Sequence, residues 1–185
     1  MDAIEAIRGR RSIRAYRPDP VARSLIEEVI WDAAQAPTPP VSGETPWVFC
    51  VIEGVTRIAG YGDRAKQYVR NHQLEGRHQT WPDNPDFKVF WDAPAVVVIC
   101  AQNGNIEAAF DCCRAGQNLM LAAHARGLGS CWVGAPTPWL RSPGITVELG
   151  VPAGFDPVVS IILGYPSETP AGNPRPRPVV HWCEP

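Results

Sequence analysis

Two stretches of this chain are apolar almost without interruption, residues 93–101 and 158–163. Both are strand-sized, and unbroken hydrophobicity marks strands covered on both faces, hence central in a sheet. A third segment, Trp47–Glu53, alternates or runs apolar and stops at Gly54, which predicts another strand. Helical spacing appears in three places. Residues 2–10 put Ile4 and Ile7 on one face. Residues 21–36 carry a stripe of Leu25, Val29 (or Ile30) and Ala33, begun by Asp19-Pro20 and halted by Pro37. An acceptor side chain followed by proline is a helix-start signal. The longest helix, 106–126, is closed by Gly127. It is small or apolar on more than one face, through Ala108, Phe110, Cys112, Ala115, Gly116, Leu119 and Ala122. A helix of that kind is covered on several sides, and in a chain of 185 residues this points to the middle of a dimer.

Between these elements the pattern is weaker. Residues 37–46 hold four prolines and read as a stiff loop. Residues 56–72 have helical spacing, weakened by Gly60 and Gly62. Residues 72–92 mix His72, His78, Trp81, Phe87, Phe90 and Trp91 with charges and prolines. They predict an excursion with an aromatic surface, either a lid over a substrate or a plug for a core edge. Residues 129–134 read as a short glycine-bounded strand or turn, 136–140 as a turn, and 144–149 as a helix fragment. The proline-rich residues 167–185 exclude a helix and end in a strand-like 179–182. There is no internal repeat and no clear linker, so residues 1–185 read as one domain.

Composition narrows the function classes. The net charge is −2, and seventeen Lys and Arg are outnumbered by nineteen Asp and Glu. That balance gives no global pull toward nucleic acid or an anionic membrane. No apolar run reaches the ~18–20 residues that span a bilayer, and the charged first residues lack a signal-peptide core, so a cytoplasmic protein is expected. Six cysteines form no CxxC pair and no zinc-type spacing with the four histidines, which predicts reduced thiols and no metal site. The GxGxxG, GxxxxGK[ST], HExxH and GxSxG patterns are all missing.

Charge position is more telling than charge balance. Arg8, Arg10, Arg11, Arg14, Arg17 and Arg23 fall in the first 23 residues, with Ser12 and apolar spacers between them. Guanidinium forks and a neighbouring hydroxyl suit phosphate oxygens. Near the other end Arg175 and Arg177, two apart in an extended segment, point the same way. The two groups together suggest a phosphate clamp. The competing readings are arginines paired with carboxylates elsewhere and a basic C-terminal tail.

The run Arg10-Arg11-Ser12-Ile13-Arg14 at this distance from the N-terminus resembles the opening signature of the nitroreductase family, the FMN-dependent NAD(P)H oxidoreductases. Four further stretches agree in order. Ala36-Pro37-Thr38 leading to Pro46-Trp47 is similar to the family's proline loop, and Gln117–Ala123 with Gly127-Leu128-Gly129 to its dimer-forming helix. Gly129-Ser130-Cys131-Trp132-Val133-Gly134 resembles the segment laid along the flavin, and Leu163-Gly164-Tyr165-Pro166 followed by Arg175 and Arg177 resembles the C-terminal end. The family's usual Asn and Gln before Pro-Trp are replaced by Gly43 and Thr45.

The resemblance implies an α+β fold: a mainly antiparallel sheet of about four or five strands wrapped by helices, in an intertwined homodimer whose C-terminal segment reaches the partner. It implies that Arg10, Ser12 and Arg177, with Arg11 or Arg175, hold the FMN phosphate. Arg14 would reach the pyrimidine side of the ring, where a fixed cation favours reduction. Cys131, Trp132, Val133 and Gly134 would lie along the flavin, and Pro37, Thr38 and Pro39 would come from the other subunit. The implied reaction is a ping-pong transfer from NAD(P)H through FMN to a small electron-poor acceptor such as a nitroaromatic or quinone. A flavin-destroying or dehalogenating enzyme, a non-catalytic flavin-binding protein, and a scaffold that has lost its cofactor share the same outline.

Overall fold

Four strands form one antiparallel sheet in the order β1-β2-β4-β3, with β1 at Trp47–Glu53, β2 at Ala95–Gln102, β3 at Gly129–Trp132 and β4 at Phe155–Gly164. This is a computed structural model, and it describes residues 1–38, 46–72, 80–172 and 175–183. The two unbroken apolar runs of the sequence are the two central strands, as their composition requires. Their register pairs Val97 with Ile161 and Ile99 with Val159, then shifts at Cys100, which lies opposite Pro157. The shift leaves Val158 as the extra residue, a bulge beside a proline that cannot donate to the ladder.

Alternation along the strands divides the core into two sides. Val97, Ile99, Ala101, Ile161 and Leu163 pack on α2 (Arg23–Ala33) and α4 (Ile106–Ala125). Val96, Val98, Cys100 and Ile162 face α3 (Val55–His72), the 80–92 segment with its 3-10 turn at Trp81–Asp83, and the short helices α5 (Thr137–Leu140) and α6 (Pro143–Glu148). The result is the expected α+β class, a sheet with helices on both faces.

Local differences from the sequence reading have physical causes. The second helix starts at Arg23, two residues after the expected start at Val21, because Val21 is drawn into the core while still extended. The phase moves with it, so Ile26 rather than Leu25 joins Val29 and Ala33 as buried. The helix at 55–72 forms despite two glycines. Gly62 is where α3 meets the 80–92 segment, and a Cβ there would lie 3.5 Å from Val89 and 3.6 Å from Phe90. Residues 137–140 make a helical turn where a plain turn is expected. The strand expected at 179–182 does not form: residues 175–183 carry no regular structure, since Pro176 and Pro178 remove donors and no edge within the described chain pairs with them.

At its N-terminus the chain is tied to the free edge of β3. Helix α1 (Ala3–Gly9) is begun by a capping box: Glu5 N–H donates to Asp2 Oδ1 (2.8 Å), and Asp2 N–H donates to Glu5 Oε2 (3.0 Å). The chain then runs extended beside β3 and the end of β4. Ile13 N–H donates to the Ser130 carbonyl (3.0 Å), Arg17 N–H to Tyr165 (2.9 Å), and Ser167 N–H returns to Ala15 (3.1 Å). The arginine cluster is thereby fixed between the end of α1, the edge of the sheet and the C-terminal segment.

Candidate functional site

Ile13 anchors the cluster by turning inward and is buried, while Arg10 and Ser12 are half-buried and Arg14 exposed. The polar residues border a cavity of about 890 Å³. Its wall is formed by Ile7, Arg8, Arg10, Arg11, Ser12 and Arg14, by Gln117 of α4, and by Pro170, Ala171, Gly172 and Arg175. Both ends of the chain therefore meet in one site, with Arg175 beside the N-terminal arginines.

The charge of this wall has one sign. It contains five guanidinium groups and no carboxylate. Among the described residues Arg17, Arg23, Arg64, Arg70, Arg114 and Arg126 each make an ion pair, and the five cavity arginines make none. The reading of these arginines as surface salt-bridge partners is not realised there. Their field reaches His124 on α4: burial, then Arg10 and Arg11, pushes its imidazole below the ordinary histidine range.

The arginines are held in different ways. Arg11 bends back onto the end of α1, and its Nη1 donates to the carbonyls of Arg8 (2.7 Å), Gly9 (2.9 Å) and Arg10 (2.9 Å). It thereby neutralises the negative end of that helix and braces the turn. The backbone of Gly172 passes close to this guanidinium, so a Cβ at Gly172 would require the end of the Arg11 side chain to shift. Arg14 lies over Trp91, with Cζ 5.8 Å from the ring centroid. Trp91 and Asp92 adopt left-handed backbone conformations, with φ of 55° and 53°. Such conformations cost about 1–3 kcal/mol each in non-glycine residues. Asp92 is held by an ion pair with Lys88, and Ala93 N–H closes the turn onto the Phe90 carbonyl (3.0 Å).

The other expected site residues are distributed more widely. Val133 N–H is used by the Ser160 carbonyl (2.9 Å), and Ser160 Oγ donates to the Val133 carbonyl (2.5 Å). The Gly134 N–H has no acceptor among the described residues. Trp132 lies against α4, where a Cβ at Gly116 would be 3.5 Å from its ring. Cys131 is buried on the opposite face of the sheet, in the core beneath α3. Thr38 Oγ1 donates to Asp111 Oδ2 of α4 (2.8 Å), away from the cavity wall, and Pro37 is exposed. Arg177 is exposed and outside the wall. Pro39, Gly43, Thr45 and His78 lie outside the described residues.

Two residues of the site escape a reading of sequence alone, whereas Arg8 is legible there as part of the arginine cluster. Gln117 is the amide on a stripe of α4 otherwise marked by Phe110 and Cys113, a signal visible only once the helix phase is known. Trp91 gave no signal beyond its place among other aromatics.

The family model for the nitroreductase family matches residues 7–165. A protein of Methanothermobacter thermautotrophicus, provisionally named an NADH dehydrogenase/NAD(P)H nitroreductase, is 35% identical over 175 residues, covering 92% of this chain and 80% of that one. A 4-nitrobenzoate reductase from Nocardioides is 26% identical over 208 residues, covering 89% and 82%. In three dimensions a nitroreductase with bound FMN from Bacteroides fragilis superposes over 100% of both chains with a TM-score of 0.85 at 21% identity. A second FMN-bound nitroreductase, from Desulfitobacterium hafniense, gives 0.82 at 19%. With the match running from the first cavity arginines through the end of β4, this chain belongs to the nitroreductase family, a family of oxidoreductases.

Proposed function

We propose that the protein is an FMN-dependent oxidoreductase that draws electrons from NADH or NADPH and delivers them to a small electron-poor acceptor such as a nitroaromatic or a quinone. The observation that carries this reading is the cavity wall of Arg8, Arg10, Arg11, Arg14 and Arg175 with Ser12 and without a carboxylate. An uncompensated group of guanidiniums is costly through mutual repulsion unless an anion occupies it. A phosphate-bearing cofactor suits the donor set, and about 890 Å³ is ample for a flavin mononucleotide.

In this reading Arg10, Arg175 and the Ser12 hydroxyl bind the phosphate, and Arg177 adds charge from the C-terminal segment. Arg11 braces the turn that presents them. Arg14 holds a positive charge toward the ring, and the Gly134 N–H supplies a backbone donor, as Gly134 has open space around it. Bound FMN supplies the two-electron transfer chemistry, with the protein contributing position and electrostatics. No side chain of the wall is a proton donor matched to neutral pH, so solvent is the proton source.

The same reading makes the protein a homodimer with its site at the interface. Ile4 and Ile7 of α1, Ile106 and Phe110 of α4, and Val180 and Trp182 of the C-terminal segment are large apolar side chains left exposed. A second copy would cover them. Thr38, fixed to α4 through Asp111, would then serve the partner's cavity. No helix among the described residues is long and apolar enough to cross a membrane. Free cysteines, with no disulfide among the described residues, suit a reducing, cytoplasmic setting.

The test is a visible absorption spectrum of the purified protein, followed by release and identification of the chromophore. FMN at about one per chain, with NADH or NADPH oxidation stimulated by a quinone or nitroaromatic, is the expected result. A colourless protein that also refuses added FMN would overturn the reading.

A further inference from the structure

Among the described residues, Trp91 and Asp92 are the non-glycine residues with positive φ. A bulky side chain takes that conformation only where its surroundings over-determine it, and such positions cluster at functional sites. Here the surroundings form a chain of rings. Trp81 is tilted on Phe87 (centroids 5.5 Å apart), and Phe87 stands edge-on to Trp91 (5.6 Å, 73°). The face of Trp91 meets the Arg14 guanidinium at 5.8 Å. Arg14 borders the cavity and has no carboxylate partner among the described residues. An arginine on its four-bond stem is otherwise free to sample many rotamers, so the ring face restricts where its charge sits.

We propose that Trp91 is a positioning residue for Arg14, holding its guanidinium at the cavity wall and so making the 80–92 segment part of the electrostatics of the cofactor site. The proposal rests on the reading that FMN occupies this cavity. A wandering Arg14 charge would stabilise the electron-rich form of the cofactor less, while the phosphate contacts of Arg10, Ser12 and Arg175 stay in place. Trp91 would then govern the reduction potential rather than the affinity. Variation in the 80–92 segment would tune which acceptors the site can reduce.

The experiment compares FMN affinity and the midpoint potential of bound FMN in the wild type, Trp91→Leu, Trp91→Phe, Arg14→Gln and the double variant Trp91→Leu/Arg14→Gln. Trp91→Leu should disfavour reduction by about tenfold, a fall of about 30 mV for a two-electron couple, with FMN affinity changed less than about threefold. Trp91→Phe keeps a ring face and should recover most of the potential. In the double variant the potential should fall no further than with Arg14→Gln alone, because the two act through one charge. An unchanged potential in Trp91→Leu, or an equal fall when Arg14 is already gone, would overturn the proposal. Phe87→Leu removes the ring behind Trp91 without touching the left-handed position, and is read the same way if Trp91→Leu fails to fold. A wild type that binds no FMN would instead remove the cofactor reading, an outcome plainly distinct from a flavoprotein indifferent to Trp91.

Discussion

Ile13 occupies the space that a side chain at Gly129 would need. A Cβ built there would lie 2.8 Å from Ile13 Cγ2 and 2.9 Å from Ile13 Cβ. The branch point of an isoleucine cannot swing aside as a flexible tip can, and the Ile13 N–H is also bound to the Ser130 carbonyl (3.0 Å). Gly129→Ala should therefore push the Arg10–Arg14 run off the sheet edge. The expected cost is about 1–3 kcal/mol of stability, as for other overpacked positions, together with weaker FMN binding. Thermal melts with and without FMN check it. Gly144 of α6 has nothing within 4 Å of a built Cβ, so Gly144→Ala is the matched control. It should be neutral or stabilising by up to about 1 kcal/mol.

Arg10→Ala and Arg175→Ala should each weaken FMN binding by about ten- to a hundredfold, the range for losing a charge-assisted hydrogen bond to phosphate. Fluorescence titration of FMN reads this directly. Arg11→Ala should behave differently. Its guanidinium is committed to three carbonyls at the end of α1, so its loss should lower stability by about 1–2 kcal/mol and reach affinity only through the loosened turn. Equal affinity losses for Arg10→Ala and Arg11→Ala, with no stability difference, would contradict this division. Arg177→Ala separates a monomer site from a shared one. Arg177 stands clear of the cavity wall within the chain, so a large loss of FMN affinity would show that it serves across the dimer interface.

What the sequence made legible follows from range. Strands β2 and β4 were visible because covering both faces of a strand demands an unbroken apolar run. The boundaries of α4 were visible because Asn105 and Gly127 are local signals: Asn105 Oδ1 accepts from Glu107 and Ala108 N–H, and Leu128 N–H closes the helix on the Ala123 carbonyl. The arginine cluster was legible as a cluster, but not the division of labour within it. Which of two adjacent guanidiniums bends back onto a helix end depends on the chain direction after Gly9. The meeting of Arg175 with Arg10 was expected from residue type and family resemblance rather than from periodicity. That of Trp91 with Arg14 depends on a contact far apart in sequence, for which local periodicity carries no signal. The second helix slipped in phase for the same reason, since burial of Val21 is decided by the sheet beneath it.

His124 offers a readout of the clamp that does not depend on turnover. Burial and the Arg10 and Arg11 charges lower its pKa in the free protein. A dianion seated among those arginines offsets their repulsion of the imidazolium, so FMN should raise the His124 pKa toward its ordinary value. NMR titration of the four histidines with and without FMN tests this. Inorganic phosphate should act in the same direction at higher concentration. No movement on saturation with FMN would place the anion elsewhere.

Thr38→Val removes the Thr38 Oγ1 donor from Asp111, a carboxylate 2% exposed whose other partner is Arg114. A buried carboxylate stripped of a donor should cost about 1–3 kcal/mol. Urea denaturation measures it. If the tether also presents the loop to a second subunit, the variant should lose FMN at a lower dilution, that is at a higher protein concentration, than the wild type. Asp111→Asn, which keeps an acceptor for Thr38, should lose less stability than Asp111→Ala.

Glu148 sets part of the acid limit of the fold. The Arg64 guanidinium, then the Tyr61 hydroxyl, hold its carboxyl down at about 2 from an ordinary 4.5. Tyr61 Oη donates to Glu148 Oε1 (2.7 Å), and Arg64 donates through Nη1 (3.0 Å) and Nη2 (2.8 Å) to its two oxygens. A depressed pKa in the folded state means that the folded protein releases this proton more readily than the unfolded chain does. The contribution to stability is therefore complete above the unfolded value, and it drains away as the pH falls from about 4.5 toward about 2. Glu148→Gln removes the titrating group and keeps an acceptor for Tyr61. Its melting temperature should lie below that of the wild type by a constant margin above about pH 5, and the two should converge as the pH approaches about 2. A margin that stays constant down to that pH would mean that Glu148 acts by packing rather than by charge.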